Sequence, residues 1–221
     1  IYGLLLATSV NQDGASNGLT APNEDAQVEL ITSALEEAGI KRGEIGYIEA
    51  HGTGTPLGDP IEYDALARVF GGDETRGGRL AIGSVKTNVG HCEAAAGLAG
   101  LIKTLIAFEM DVIPANLHFS TSNPLIDLER IPAFVPVENT DWDVLPFSRR
   151  IAGISSFGFS GTNSHAIVSQ PEPDVRELGM HDTLEHLVTL SADTELALEV
   201  RADMISKHLK NRLDLPLANV A

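Results

Sequence analysis

An α/β fold is what this sequence predicts, on three observations. Apolar runs of strand length alternate with runs of helical periodicity through the first half of the chain. Helix start and stop signals fall between those runs. Two of the strand-like runs lead into glycine-bearing turns that carry a histidine, at the carboxyl strand ends where open α/β sheets bind ligands.

Strands are expected at Leu4–Val10, Ile45–Ala50, Leu80–Val85, Ile151–Phe157 and Ala166–Ser169. The first is apolar from Ile1 onward, with no starting methionine, which predicts a buried strand and neighbours from further sequence upstream. A first helix should begin after Asn23, with Glu24 and Asp25 in its first turn. Leu30, Ile31, Ala34, Leu35 and Ala38 then share one face, and Gly39 ends it. A second should open with a capping box at Asp59-Pro60-Ile61-Glu62 and run to about Phe70. A third, His91 to Glu109, is apolar nearly all round and is expected in the core. At Pro171-Glu172-Pro173-Asp174 the composition turns polar, so the organisation reads as residues 1–172 followed by a small element at 173–221. In that element Leu187–Leu190 is expected as a strand. Asp193–Leu209 is expected as a helix with Leu198, Ala202, Ile205 and Leu209 on one face.

The 221 residues and 43% hydrophobic content suit one large domain, alone or with an appendage. A formal charge of −16, from 31 acidic against 15 basic residues, repels phosphate backbones and anionic lipid, so no nucleic-acid or membrane partner is expected. Ala94–Phe108 is too short to span a bilayer and contains Lys103, and no signal-peptide pattern is present, which reads as cytoplasmic. The single cysteine, Cys92, cannot form an internal disulfide. It reads as a small core residue at a helix start, with no base or turn to activate it.

The chemistry concentrates in Glu49-Ala50-His51-Gly52-Thr53-Gly54-Thr55, Lys86-Thr87-Asn88-Val89-Gly90-His91 and the glycine-rich run Ser155 to Asn163. Glycines let backbone approach a ligand, and a neighbouring imidazole supplies a directed proton donor. Burial of a strand end at His51 and a helix start at His91 favour neutral rings, a pair suited to steadying an oxyanion or enolate. Lys86 is assigned to the same site. Thr53 and Thr55 either cap the turn or offer hydroxyls to the amides of an extended arm. Asp59 and Glu62 are assigned to helix capping. Gly52–Gly58 mimics a dinucleotide-binding turn with its last glycine one residue late, and Gly158-Phe159-Ser160-Gly161 lacks hydrolase-elbow spacing. The consecutive His91-Cys92-Glu93 diverge on a helix, so no metal site is expected.

Taken with Asn11–Asn23 and the run Pro56-Leu57-Gly58-Asp59-Pro60-Ile61-Glu62, these motifs resemble the C-terminal half of a β-ketoacyl synthase, the ketosynthase domain of a type I polyketide synthase. The resemblance covers roughly the first 170 residues. The tail from Leu190-Ser191-Ala192 is similar to the linker that leads towards an acyltransferase domain. It implies a thiolase-like layered αβαβα fold, of which this chain is the second half, followed by a small α/β linker element.

The implied chemistry is decarboxylative Claisen condensation between an acyl-cysteine thioester and a malonyl-type extender on the phosphopantetheine arm of an acyl carrier protein. His51 and His91 match the family's two histidines, Lys86 its lysine, and Thr53 and Thr55 its pantetheine contacts. Phe159 matches an aromatic gate whose N–H helps form an oxyanion hole, with Asn163 and His165 as supports. The family's nucleophilic cysteine lies before the start of this chain, so the segment alone is expected to be inactive. No cofactor is expected on the segment itself. Its expected partners are the N-terminal half, the carrier protein, the downstream acyltransferase and a second copy in a homodimer. Two other readings stay open: a nicotinamide-dependent reductase using Gly52–Gly58, and a non-catalytic dimer or linker scaffold.

Overall fold

The computed structural model describes residues 1–14, 22–72, 78–142, 149–171 and 188–211. The chain divides into two compact units, Ile1–Glu172 and Pro173–Ala221. In the first, strands β1 (Leu4–Gln12), β2 (Tyr47–Glu49), β3 (Leu80–Gly83), β5 (Ala133–Phe134), β7 (Ile151–Phe157) and β8 (Thr162–Ser169) form one sheet in the order β1-β8-β7-β2-β3-β5. Strand β2 runs parallel to β3 and β7, so Glu49 lies level with Gly83 and Ile154. Strands β7 and β8 form an antiparallel hairpin, and β1 pairs antiparallel with β8. A second ribbon pairs β4 (Val112–Ile113) with β6 (Thr140–Asp141).

Side chains alternate across the sheet and build a core on each face. Ile48, Leu80, Ile151 and Ile167 face one cluster with Ile31, Leu35, Leu66 and Phe70, from helices α1 (Glu24–Ala38) and α2 (Gly58–Phe70). Their neighbours Tyr47, Ala81, Ala152 and Val168 face the other, with Trp142 and with Ala107 and Phe108 of helix α4 (Ala96–Met110). A short helix α3 (Lys86–Val89) follows β3.

Helix α1 forms as its signals predict. The Asn23 side chain accepts from the Ala26 N–H, Leu30, Ile31, Ala34 and Leu35 are buried, and Gly39 takes the left-handed C-cap at φ 65°. Four expectations about this unit are corrected. Helix α2 begins at Gly58; its N-cap Leu57 has no polar side chain to cap with, and the Asp59 and Glu62 carboxylates accept from the N–H groups of the preceding loop, so no capping box exists. The third predicted helix is shorter: α4 starts at Ala96, leaving His91 and Cys92 outside it. Its apolar circumference is not all buried, since Leu98, Ile102, Ile106 and Met110 form an exposed stripe at i, i+4 spacing. Strand β1 is likewise not buried, with Leu5 and Val10 exposed at the sheet's edge.

In the second unit, helix α5 (Glu195–Asn211) corresponds to the helix expected there, with Ile205 and Leu209 half-buried. Val188–Leu190 is not a strand, and Leu187 lies outside the described residues. So do the proposed boundary beyond Pro171 and the Ala15–Ala21 stretch of the first motif. The flanks of that motif are described. Asn163 donates to Asn11 Oδ1 and Asp13 Oδ1, and Asn23 donates to the Asp13 carbonyl, tying β8, β1 and the start of α1 together.

Candidate active site

Parallel register brings the carboxyl ends of β2, β3 and β7 to one edge of the sheet, and each strand delivers part of a common cavity of about 500 Å³. His51 follows β2, His91 follows β3 and α3, and Phe157 to Phe159 close the β7–β8 hairpin; all of these line the cavity, as do Thr53 and Thr55. The His51 and His91 rings meet edge to face with centroids 5.6 Å apart, and the Phe157 ring lies 5.5 Å from His51.

Hydrogen bonding gives the same nitrogen of each ring the acceptor role. His51 Nδ1 accepts from the Phe157 N–H at 3.4 Å and stands 3.5 Å from Lys86 Nζ, while His91 Nδ1 accepts from the Glu93 N–H at 3.0 Å. With Nδ1 occupied as an acceptor, Nε2 carries the hydrogen. Burial first, then the Lys86 charge and the neighbouring His91 ring, lower the His51 pKa from 6.5 to about 4, so this ring is neutral at pH 7. Lys86 is itself half-buried. Burial pulls its pKa down, against the opposing pull of Glu62, Glu49, Cys92 and Asp59. The helix-dipole reasoning for His91 is not supported: it stands before a one-turn 3₁₀ segment, Glu93–Ala95, and outside α4.

The His51 loop is shaped by carboxylates. Glu62, buried on α2, accepts from the backbone N–H of His51 at 2.7 Å and of Gly52 at 2.9 Å. Asp59 accepts from the Gly54 N–H at 3.0 Å. Gly52 has φ 47°, and a Cβ there would stand 2.9 Å from the Ser84 Cβ, so only glycine fits between the two loops. Thr55 Oγ1 accepts from the Gly58 N–H, making it the turn cap, and the Thr53 hydroxyl is 3.3 Å from it. The amides that a pyrophosphate would need at Gly52 and Gly54 are thus already given to two carboxylates. This overturns the dinucleotide-binding alternative.

Glu62, Asp59 and Phe157 are site residues that the sequence reading missed. The capping pattern accounted for the two acids completely, and nothing in a linear sequence distinguishes a carboxylate that turns back to its own helix from one that reaches a preceding loop. Phe159 stands at the hairpin tip with its side chain 82% exposed, whereas Phe157 contacts His51. Cys92 is exposed and not a core residue; its Sγ donates to the Gly90 carbonyl at 3.8 Å. His165 is buried, with Nδ1 3.0 Å from Ser155 Oγ. Among the described residues no cluster of three or more His, Cys, Asp or Glu is arranged for a metal, and no helix is long and apolar enough to cross a membrane.

Burial outweighs the two N–H donors and pushes the Glu62 carboxyl from 4.5 up to about 7. Between those values the folded chain holds a proton that the unfolded chain has released. The contribution is therefore complete below pH 4.5 and lost as pH rises through 7. Glu62→Gln should remove this loss, so that from pH 5 to 8 the stability difference moves towards the variant by at most about 3 kcal/mol. Thermal unfolding across a pH series checks it; a pH-independent difference would contradict the assignment.

The family model for the β-ketoacyl synthase C-terminal domain matches residues 2–120. The chain belongs to the β-ketoacyl synthase family. A second model, the ketoacyl-synthetase C-terminal extension, matches residues 123–221. This ketosynthase segment is 49% identical over 170 residues to one phenolphthiocerol/phthiocerol polyketide synthase polypeptide of Mycobacterium tuberculosis, covering 77% of the chain and 11% of that protein. Another polypeptide of the same synthase is 43% identical over 225 residues, covering 100% of the chain and 12% of the relative. Among solved structures, the ketosynthase from module 6 of the bacillaene synthase of Bacillus subtilis superimposes with a TM-score of 0.73 at 37% identity, over 100% of this chain and 38% of that one. The segment thus has the thiolase-like fold of a ketosynthase C-terminal half, and spans little more than a third of the solved ketosynthase and about a tenth of the curated relatives.

Proposed function

We propose that this segment supplies the decarboxylation and enolate-stabilising half of a polyketide synthase ketosynthase. The observation that carries the reading is the His51–His91 pair: two rings 5.6 Å apart in one cavity, each with Nδ1 accepting from a backbone N–H.

In the proposed reaction the extender reaches the cavity on the phosphopantetheine arm of an acyl carrier protein, along Thr53 and Thr55. The bond between the extender's α-carbon and its carboxylate breaks, carbon dioxide leaves, and the electron pair passes into the thioester as an enolate. The Nε2–H groups of His51 and His91 donate to the enolate oxygen. The enolate carbon then attacks the acyl thioester held on a cysteine of the N-terminal half, forming the new C–C bond and releasing the thiolate. Phe159 is assigned the gate, with its N–H completing the oxyanion hole for that acyl group. Lys86 keeps a positive charge beside His51 Nδ1, which holds the ring neutral and therefore a donor. The segment binds no cofactor of its own in this reading.

Residues 1–172 form the ketosynthase part, and 173–221 the beginning of a linker towards an acyltransferase, in a cytoplasmic, homodimeric synthase. The N-terminal half is assigned to the exposed stripe Leu98, Ile102, Ile106 and Met110, which is apolar at the spacing of a buried helix face. Ile102→Asp should accordingly lower the unfolding free energy of the intact ketosynthase by at least about 2 kcal/mol, since it removes a buried side chain and buries a charge. The 221-residue chain, where this side chain is 55% exposed, should lose far less in urea unfolding.

The condensing role is tested by formation of a β-ketoacyl thioester from an acyl and a malonyl thioester. Formation by the intact ketosynthase, and none by the 221-residue chain without the N-terminal half, is expected. Equal formation by both would overturn the division of labour, and none from either would overturn the function.

A further inference from the structure

Beneath the histidine loop lies a group of charges that the proposed chemistry does not use. Glu49, at the end of β2, is 1% exposed, and Lys103, on the largely apolar α4, is 8% exposed. Glu49 Oε2 sits 3.0 Å from Lys103 Nζ and accepts from the Tyr47 hydroxyl at 2.6 Å; Lys103 Nζ donates to that hydroxyl at 2.9 Å. The other oxygen, Oε1, accepts from the Val85 N–H at 2.5 Å.

The backbone makes room for this triad. A Cβ at Gly100 would stand 2.9 Å from Glu49 Cγ, and one at Gly83 would stand 2.9 Å from the Tyr47 hydroxyl. Two elements therefore surrender a side chain at the places where the charges meet. Glu49 lies two residues before His51, and Val85 immediately precedes Lys86 and caps the helix that carries it. One carboxylate thus joins the exit points of the two loops whose side chains face each other at 3.5 Å, His51 Nδ1 and Lys86 Nζ.

We propose that Glu49, held in orientation by Lys103 and Tyr47, is a positioning residue that fixes Val85 and thereby sets the separation of Lys86 from His51. This rests on the condensing reading above. A buried ion pair is weak evidence of stabilisation, since apolar replacement of both partners is often neutral. What an apolar pair cannot supply is an acceptor for the Val85 N–H, and that difference makes the role separable from stability.

The test uses the intact ketosynthase. Glu49→Leu with Lys103→Met leaves no lone charge and removes the acceptor; extender decarboxylation should lose about 10- to 100-fold in kcat, the scale of a misplaced catalytic group, with KM and acyl loading of the cysteine unchanged. Glu49→Gln with Lys103→Met keeps an acceptor oxygen, and kcat should return to within about threefold of wild type. Wild-type kcat in the first double variant, or equal impairment in both, overturns the proposal. Should both doubles unfold, Tyr47→Phe decides: a loss of about threefold or more in kcat at unchanged KM supports it and no loss overturns it. A wild-type ketosynthase that does not decarboxylate the extender would overturn the condensing reading first.

Discussion

His91→Ala in the intact ketosynthase should abolish measurable condensation, lowering extender decarboxylation by about 10²–10³-fold while the upstream cysteine is still acylated. The size follows from the loss of one preorganised donor in a cavity where its partner ring, 5.6 Å away, stays in place. His51→Ala should reduce decarboxylation on the same scale, because it removes the second Nε2–H and leaves Lys86 without the ring it faces. The double substitution should cost little more than either single one, since the two groups serve one oxygen. Carbon dioxide release and acyl loading, followed separately in each variant, check this. Normal decarboxylation in both single variants would remove the roles assigned to the pair, whereas a loss of acyl loading would place them in the transfer step instead.

Lys103→Met alone should be among the most destabilising single changes in the chain, by about 3–5 kcal/mol. It strands the Glu49 carboxylate, 1% exposed, without the ammonium 3.0 Å away. Tyr47 and Val85 still donate to it, but two neutral donors do not replace a charge in a site closed to water. Chemical denaturation of Lys103→Met beside the Glu49→Leu, Lys103→Met double variant measures the difference. The double variant should recover most of the loss, because the charge and its partner leave together. If the single variant were as stable as wild type, the ion pair would carry no structural weight.

Local patterns were legible where a residue's consequence is spent within a few neighbours. Asn23, the Leu30-Ile31-Ala34-Leu35 stripe and Gly39 set the first helix by themselves, because cap, face and stop are all short-range. The alternation of Tyr47 with Ile48, and of Ile167 with Val168, likewise follows from a period of two. The histidine-bearing turns were legible for a similar reason: glycine next to an imidazole at a strand end marks a place where backbone must approach something.

The same short-range patterns misplace Asp59, Glu62 and the start of the third helix. A helix opening of Asp-Pro-Ile-Glu satisfies a capping rule, yet the Glu62 oxygens go to His51 and Gly52, eleven and ten residues earlier. A contrary signal stands in Glu49 and Lys103, opposite charges inside two apolar segments, which burial obliges to find each other. The apolar circumference of Ala96–Met110 predicts burial all round, but this chain covers only part of it, through Ala107, Phe108 and their neighbours on the sheet.

Composition and motif spacing by themselves determined that this is an α/β chain carrying two glycine-flanked histidines, because those features depend on residue type and short-range geometry. Only the tertiary structure decided that both rings face one cavity with Nδ1 of each accepting from a backbone N–H, that Phe157 and Lys86 meet His51, and that two buried carboxylates accept from loop N–H groups. Those facts depend on the parallel register of β2, β3 and β7, which brings together residues up to 106 positions apart in the chain. No pattern within a single segment encodes that distance.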